Sequence, residues 1–433
     1  MHFTGILLSL LWAMALMFVL LKWLQKQETS AISRRWIGLF FFIKLLACFA
    51  LQALYTYYYT DRSTADIYRF FDDGLILRDI AASSPSDFFK IMVGIYPEEA
   101  FKSQYFEQMN AWIKPHEAGF YNDNRTLIRY NALLSFISFG HYEVHAVVTT
   151  FLSFLGLLSI SRAFNRKQMV PLMAIFTILP GILIWTSGVL KESFVVLGIG
   201  LVLWALFRPS QILWKRLLSL GSGTFVLILI KPYFLAAFIP AAAVWWTMGF
   251  LTPARKSALL LQWGIWLALL FAGLFAGQVI GIDLVEQISQ KQNDFLNHAA
   301  VIEAGSIVDI DRLDGSLSDL LLTIPKAMQN VLIEPLPWQI KSAPSLILML
   351  ENALYLLLVI LILRFRRKSD LMDTNLSFLL QFAFPVLLLI GLTTPVLGAI
   401  MRYRAPAMIL IILFLFQYLP NHRYPFSKHE TNT

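Results

Sequence analysis

Eleven apolar runs decide what this chain can become. They fall at about 4–21, 36–58, 144–161, 169–187, 193–207, 217–230, 234–250, 258–280, 345–363, 376–398 and 405–419. Most are long enough to cross a hydrocarbon layer of roughly 30 Å as a helix. Water is absent from that layer, so the backbone must satisfy its own hydrogen bonds, and a continuous apolar run does so as a helix. The composition agrees: 58% of residues are hydrophobic and 14% charged, with a mean hydropathy of +0.64, whereas soluble domains carry about 25% charge. The expectation is an all-α, polytopic membrane helix bundle of about eleven transmembrane helices, forming one integral membrane domain over 1–433. The runs at 193–207 and 217–230 are short, and short spans often border a water-filled cavity. The first run has no basic n-region and no small-residue cleavage site before Lys22-Trp23, so it reads as a retained helix. A single cysteine, Cys48, lies in an apolar run, which excludes a disulfide framework and a thiolate metal site.

Basic residues set the orientation. Lys22, Lys26, Arg34 and Arg35 follow the first run; Arg162, Arg166 and Lys167 the third; Arg208, Lys215 and Arg216 the fifth; Arg255 and Lys256 the seventh; Arg364, Arg366, Arg367 and Lys368 the ninth. Every odd-numbered helix ends in such a cluster, and positive loops stay in the cytoplasm. The N-terminus is therefore expected outside and the C-terminal tail inside. The net charge of +8 is accounted for by topology and does not call for nucleic acid. Two long loops, about 59–143 and about 281–344, face outward in this reading. The first carries two juxtamembrane helices, expected around 66–82 and 127–139, the latter closed by Gly140.

The stretch Asp61 to Gly74 opens the first of these loops and places Asp61, Asp66, Asp72 and Asp73 within fourteen residues. With Ser63 as a helix cap, Asp66 and Asp73 share one face with Arg69 between them, while Ile67, Phe70 and Phe71 make an apolar stripe. Such a helix lies in the membrane interface with its stripe toward lipid. Asp66 has two readings, a capping acid in a Ser-x-x-Asp pattern or a catalytic carboxylate. For Asp72 and Asp73 the plainer reading is a solvated face.

Further charges fall on the same expected side. Lys191 and Glu192 sit in the turn that begins Trp185-Thr186-Ser187-Gly188, Lys231 in Lys231-Pro232-Tyr233, and Arg402 and Arg404 in Arg402-Tyr403-Arg404-Ala405-Pro406. Cations in short outer turns can ring a phosphate, arginine as a bidentate fork and lysine as a point charge; they can equally anchor the chain to headgroups. Lys44 and Glu351 lie in spans, where an unpaired charge costs roughly 2.5–3.5 kcal/mol, so each is a site candidate or one half of a structural pair. His141 and His145 have the spacing of metal ligands on a helix but lack the HExxH pattern. Asp309, Asp311 and Asp314-Gly315 resemble a calcium loop loosely, without its closing Glu. No metal site or cofactor is expected, a divalent cation being only weakly supported.

An outward-facing acid at a helix start, the Trp185-Thr186-Ser187-Gly188-x-x-Lys191-Glu192 turn, the Lys231-Pro232-Tyr233 turn and the Arg402-Tyr403-Arg404-x-Pro406 turn together resemble the GT-C superfamily of integral membrane glycosyltransferases. The nearest likeness is to multi-spanning proteins of bacterial surface-polysaccharide assembly. The resemblance implies a cytoplasmic-membrane glycosyltransferase that takes a sugar from a polyprenyl-phosphate donor and passes it to a glycan, lipid or protein acceptor. It implies catalytic roles for Asp66, with Asp73 nearby, and substrate binding by Lys191, Glu192, Lys231, Arg402 and Arg404. The acid here follows the second span and not the first, and an acid in the second loop has no counterpart beyond Asp309 and Asp311. A polysaccharide polymerase is the nearest alternative. A lipid-linked-glycan transporter or flippase is the other, although the sequence shows no repeated halves of the kind transporters often carry.

Overall fold

In a computed structural model of the chain, the described residues are 3–26, 34–59, 61–113, 122–163, 169–207, 212–251, 255–279, 281–301, 306–340, 343–365 and 374–417. Among them the structure is all-helical, without a strand; one isolated bridge joins Ile307 to Val396. In chain order the helices are α1 (Phe3–Lys26), α2 (Arg34–Ala53), α3 (Asp66–Ser83), α4 (Pro85–Val93), α5 (Glu98–Phe101), α6 (Asn124–Ser138), α7 (Tyr142–Ala163), α8 (Met169–Ile178) and α9 (Pro180–Trp185). There follow α10 (Lys191–Phe207), α11 (Leu213–Ile230), α12 (Pro232–Met248), α13 (Arg255–Val279), α14 (Leu284–Val301), α15 (Leu317–Leu332), α16 (Ala343–Phe365), α17 (Thr374–Thr393) and α18 (Leu397–Phe416).

All eleven apolar runs are built around helices, and eight helices among the described residues are long and apolar enough to cross a membrane: α1, α2 with its π-helical extension to Tyr58, α7, α11, α13, α16, α17 and α18. The protein is a multi-pass helical membrane protein. The runs that fall short do so for local reasons. Run 169–187 is divided at Leu179, because Pro180 has no N–H to donate and pushes the residue before it out of helical geometry; α8 and α9 result. Helix α12 is only 17 residues long, and α10, also 17, opens on two charges. Much of the surface of α1, α11, α13 and α16 is exposed apolar side chain, including Phe18, Phe225, Phe275 and Leu356. An area of that size is far beyond what water tolerates on a monomer and fits lipid. The basic residues Arg166, Lys167, Arg208 and Arg366 to Lys368, and the C-terminal tail, lie outside the described residues.

The chain divides into two compact units. The first comprises Met1–Leu179 and Leu183–Pro232, the second Pro180–Ile182 and Tyr233–Thr433. In the first, α10 is sandwiched between α7 and α11, while α1 and α2 lie on α7 and α3 packs along α6. Two glycines let α7 and α10 meet backbone to backbone: a Cβ on Gly156 would stand 2.5 Å from the carbonyl oxygen of Val196, and one on Gly200 would strike the Gly156 carbonyl. Small residues at such a crossing replace the hydrophobic drive that lipid does not supply. Lys44 of α2, fully buried, donates to the Thr186 carbonyl at 2.8 Å and hydroxyl at 2.6 Å and to Ser187 Oγ at 3.3 Å. It is a structural tie from α2 to the turn ahead of α10. In the second unit, α17 is central and contacts α13, α14, α15 and α18.

Both helices expected in the first long loop are present as α3 and α6, but the interfacial setting expected for the α3 stripe is not. Ile67, Phe70 and Phe71 are buried in protein: Ile67 and Phe71 share one apolar cluster with Leu51, Tyr142, Val189 and Leu190, and the Phe70 ring lies beneath Lys191. The stripe faces α2, α7 and the turn ahead of α10, which together present a better-packed apolar surface than a headgroup layer. Replacing Gly156 by Ala should force α10 off α7 and lower unfolding stability in detergent by about 1–3 kcal/mol; an unchanged denaturation midpoint would show that the crossing tolerates the methyl group.

Candidate functional site

The first turn of α3 is capped by Ala65, without a side-chain hydrogen bond. The sequence pattern calls for Ser63 there, but Asp61 captures it: Asp61 Oδ1 accepts the Ser63 N–H at 3.0 Å and its hydroxyl at 2.7 Å. These bonds hold the Asp61 carboxyl below the usual carboxylate range. The capping reading of Asp66 therefore fails, since Asp66 is the first helical residue rather than the third. Its carboxylate is 29% exposed and stands 3.6 Å from the Arg69 guanidinium one turn on. Asp72 is held by Arg62, which grips it at 2.7 and 2.8 Å and lies over the Tyr68 ring at 4.1 Å.

Asp73 has no solvated face. It is fully buried, and its two oxygens accept the backbone N–H groups of Asn110 (2.8 Å) and Ala111 (2.7 Å). Burial pushes its pKa upward against those two bonds, which pull it down. One turn back on α3, Arg69 donates to the Asn110 carbonyl at 2.9 Å. From the other side, Asn124 of α6 donates to the Ala111 carbonyl at 3.1 Å, and Asn122 to that of Trp112 at 2.8 Å. The segment Asn110 to Trp112 is thus clamped between two helices through its own peptide groups. Trp112 closes the clamp, buried beneath Arg125 and Arg129, whose guanidinium groups lie 5.2 and 5.3 Å from its ring.

Lys191, the first residue of α10, reaches this knot. Its ammonium group is 2.6 Å from Asp123 Oδ2 and 2.7 Å from Asn124 Oδ1, and lies 5.6 Å from the centre of the Phe70 ring. The next residue, Glu192, is buried and pairs at 2.9 Å with Lys231, itself nearly enclosed. Asp66, Asp73, Lys191, Glu192 and Lys231 therefore belong to one connected region of the first unit. The loop between α9 and α10 is held for this purpose by Gly188, whose φ of +84° suits glycine and whose N–H donates to Thr150 Oγ1 at 2.8 Å.

Arg402 and Arg404 are placed differently from the outer turn expected of them. They lie inside α18, because the chain turns earlier, at Thr394 to Val396. Arg404 is fully buried; it donates to the Val331 carbonyl at 2.6 Å and to Asn352 Oδ1 at 2.7 Å, and sits 3.6 Å from Glu351. Glu351 thus has the partner that its place in a span requires. Arg402 is 8% exposed, with its guanidinium 5.6 Å from the Tyr403 ring.

His145 has both ring nitrogens engaged, Nδ1 with Asn131 Oδ1 and Nε2 with Ser138 Oγ, each at 2.7 Å. No group of three or more His, Cys, Asp or Glu side chains suited to a metal occurs among the described residues. Asp314 instead shapes the start of α15, accepting the Ser316 N–H at 2.7 Å, and Ser316 caps that helix by accepting from the Asp319 N–H at 3.2 Å.

Sequence reasoning missed Asp123, Asn124, Asn110 and Trp112. The run Asn122-Asp123-Asn124 ahead of an amphipathic segment is a helix-start signal that would have placed polar side chains here; nothing local marks Asn110. Comparison with known proteins returns no matching family model, no matching curated protein and no matching solved structure. What fold and site define together is a multi-pass helical membrane protein with a buried carboxylate and lysine network in its first long connection.

Replacing Asp73 by Asn presents an NH2 group to one of the two amides. A lost buried hydrogen bond of about 1.4 kcal/mol should speed hydrogen exchange at Asn110 and Ala111 about tenfold, with α7 and α10 protected as before. Unchanged exchange at those amides would mean that the clamp does not rest on Asp73.

Proposed function

We propose that this chain is a membrane glycosyltransferase that moves a sugar from a polyprenyl-phosphate donor to an acceptor hydroxyl at the outer face of the bacterial cytoplasmic membrane. The reading puts the N-terminus outside, the C-terminus in the cytoplasm and the reaction in surface-glycan assembly. The observation that carries it is the contrast within one acidic stretch. Asp66 keeps a partly exposed carboxylate at the first turn of α3, while Asp73, two turns along, is consumed in holding the scaffold.

In the proposed reaction the acceptor oxygen attacks the anomeric carbon, its proton passes to Asp66, and the bond from that carbon to the phosphate oxygen breaks. Polyprenyl phosphate leaves with the electron pair. A positioned base of this kind contributes about 10²–10⁴ in rate, and fixed cations that meet the leaving charge contribute further. Arg69 is suited to meeting that charge, because it adjoins Asp66 and its side chain is partly exposed. Lys191 would exchange part of its hold on Asp123 for the phosphate. Glu192, next to Lys191 in the chain, is held by its pair with Lys231, and Asp73 is a positioning residue. Arg402 and Arg404 belong to the second unit and are given no part in this step; the guanidinium of Arg404 donates to protein acceptors.

The test is turnover of a radiolabelled polyprenyl-phosphate sugar by proteoliposomes supplied with envelope glycan as acceptor. Asp66→Asn keeps the side-chain volume and removes the base, so the rate should fall about a hundredfold or more while folding and donor binding are retained. Full turnover by Asp66→Asn would overturn the assignment. Donor binding without turnover in the unaltered protein would favour a lipid-linked-glycan flippase.

A further inference from the structure

With its stripe buried against protein, α3 cannot be the element that rests on lipid, yet the same connection exposes another apolar face. On α4 and the residues after it, Phe89, Val93 and Ile95 are 66%, 50% and 75% exposed; on α6 and its exit, Phe136, Ile137 and Phe139 are 48%, 50% and 76% exposed. The two sets form one surface. Phe88 meets Phe136 edge to face at 5.9 Å between ring centres, and Arg129 of α6 donates to the Ile91 carbonyl of α4 at 3.0 Å. Lys90, paired with Asp87 at 2.9 Å, lies beside Phe89 on the same helix.

The position of this face in the chain says what covers it. Helix α6 passes to the spanning helix α7 through Phe139, Gly140 and His141 alone, a connection that cannot exceed about 14 Å. The end of a second span meets the same corner: a Cβ on Gly5 of α1 would stand 3.2 Å from His141 Nδ1 and would strike the Glu143 carboxylate. Two membrane-crossing helices therefore end at the point where Phe136 to Phe139 emerge. Phe139 adds a further sign. Its φ of +52° makes it the one non-glycine residue in the left-handed region among the described residues, a conformation unfavourable for a bulky side chain. A large apolar ring kept exposed at a strained corner is better explained by a medium that takes it up than by water.

We propose that α4 and the C-terminal turn of α6 form a lipid-seated platform, with Phe89, Ile95, Phe136 and Phe139 inserted into the headgroup and acyl boundary of the bilayer. The platform fixes the height of the clamped segment Asn110 to Trp112 above the membrane. An interfacial surface of this kind combines an apolar face with cations at its edge. The inference is independent of the chemistry assigned to Asp66, because it rests on exposure, chain path and span ends.

Nitroxide labels placed at Phe89→Cys, Ile95→Cys and Phe136→Cys, in a Cys48→Ser background and in proteoliposomes containing phosphatidylglycerol, read this directly. At all three positions collision with oxygen should exceed collision with a water-soluble nickel chelate. A label at Ser103→Cys, on an exposed part of the same connection, should show the reverse. Nickel accessibility at positions 89, 95 and 136 equal to that at 103 would overturn the proposal. So would dipolar broadening between labels at position 89, since that would make a second copy of the chain the occupant of the face.

Discussion

The arrangement of the first connection depends on one buried carboxylate. An aspartate with no exposed surface is expensive to ionise in a low-dielectric setting unless its oxygens are matched by donors, and Asp73 is matched by two adjacent peptide N–H groups. The match works in both directions. Those amides belong to an irregular segment with no ladder of its own, and that of Ala111, a fully buried residue, would be unsatisfied without an acceptor. Because Arg69 takes the Asn110 carbonyl and Asn124 the Ala111 carbonyl, the segment acts as a peg between α3 and α6. Its fixed position in turn places Asn124 and Asp123 where Lys191 can reach them.

The legibility of the sequence follows from the range of the forces involved. Helix existence is local and periodic, so the eleven apolar runs and the two amphipathic helices of the first connection can be read directly. What a helix face packs against is not local. The stripe Ile67, Phe70 and Phe71 suits a lipid surface and a protein surface equally, and only the assembled α2, α7 and pre-α10 turn choose between them. The same limit explains the misplaced cap. Ser-x-x-Asp is realised at Ser316 and Asp319 and not at Ser63 and Asp66, because an aspartate two residues upstream competes for Ser63.

Charges show a similar division. Lysines at chain turns can be located from sequence because an apolar helix begins or ends beside them, as at Lys191 and Lys231. Arginines four or more residues inside a helix cannot, and the pattern around Arg402 and Arg404 points to a turn that the chain in fact makes earlier. For Arg404 the outcome is a guanidinium enclosed by a carboxylate, an amide and a carbonyl. A buried fork satisfied in this way specifies how α16 and α18 meet the end of α15, and removing one partner of such a set is strongly destabilising.

The central claim is that the region around Asp66 meets a lipid-linked phosphate through Arg69 and Lys191. The most direct measurement is binding of a polyprenyl monophosphate to the purified protein by native mass spectrometry, comparing the unaltered chain with Arg69→Gln and Lys191→Gln. A hydrogen bond to a charged group contributes about 1.5–3 kcal/mol, so each substitution should weaken binding by about tenfold or more, with the protein still folded. No bound lipid on the unaltered chain, or binding undiminished in both variants, would contradict the account.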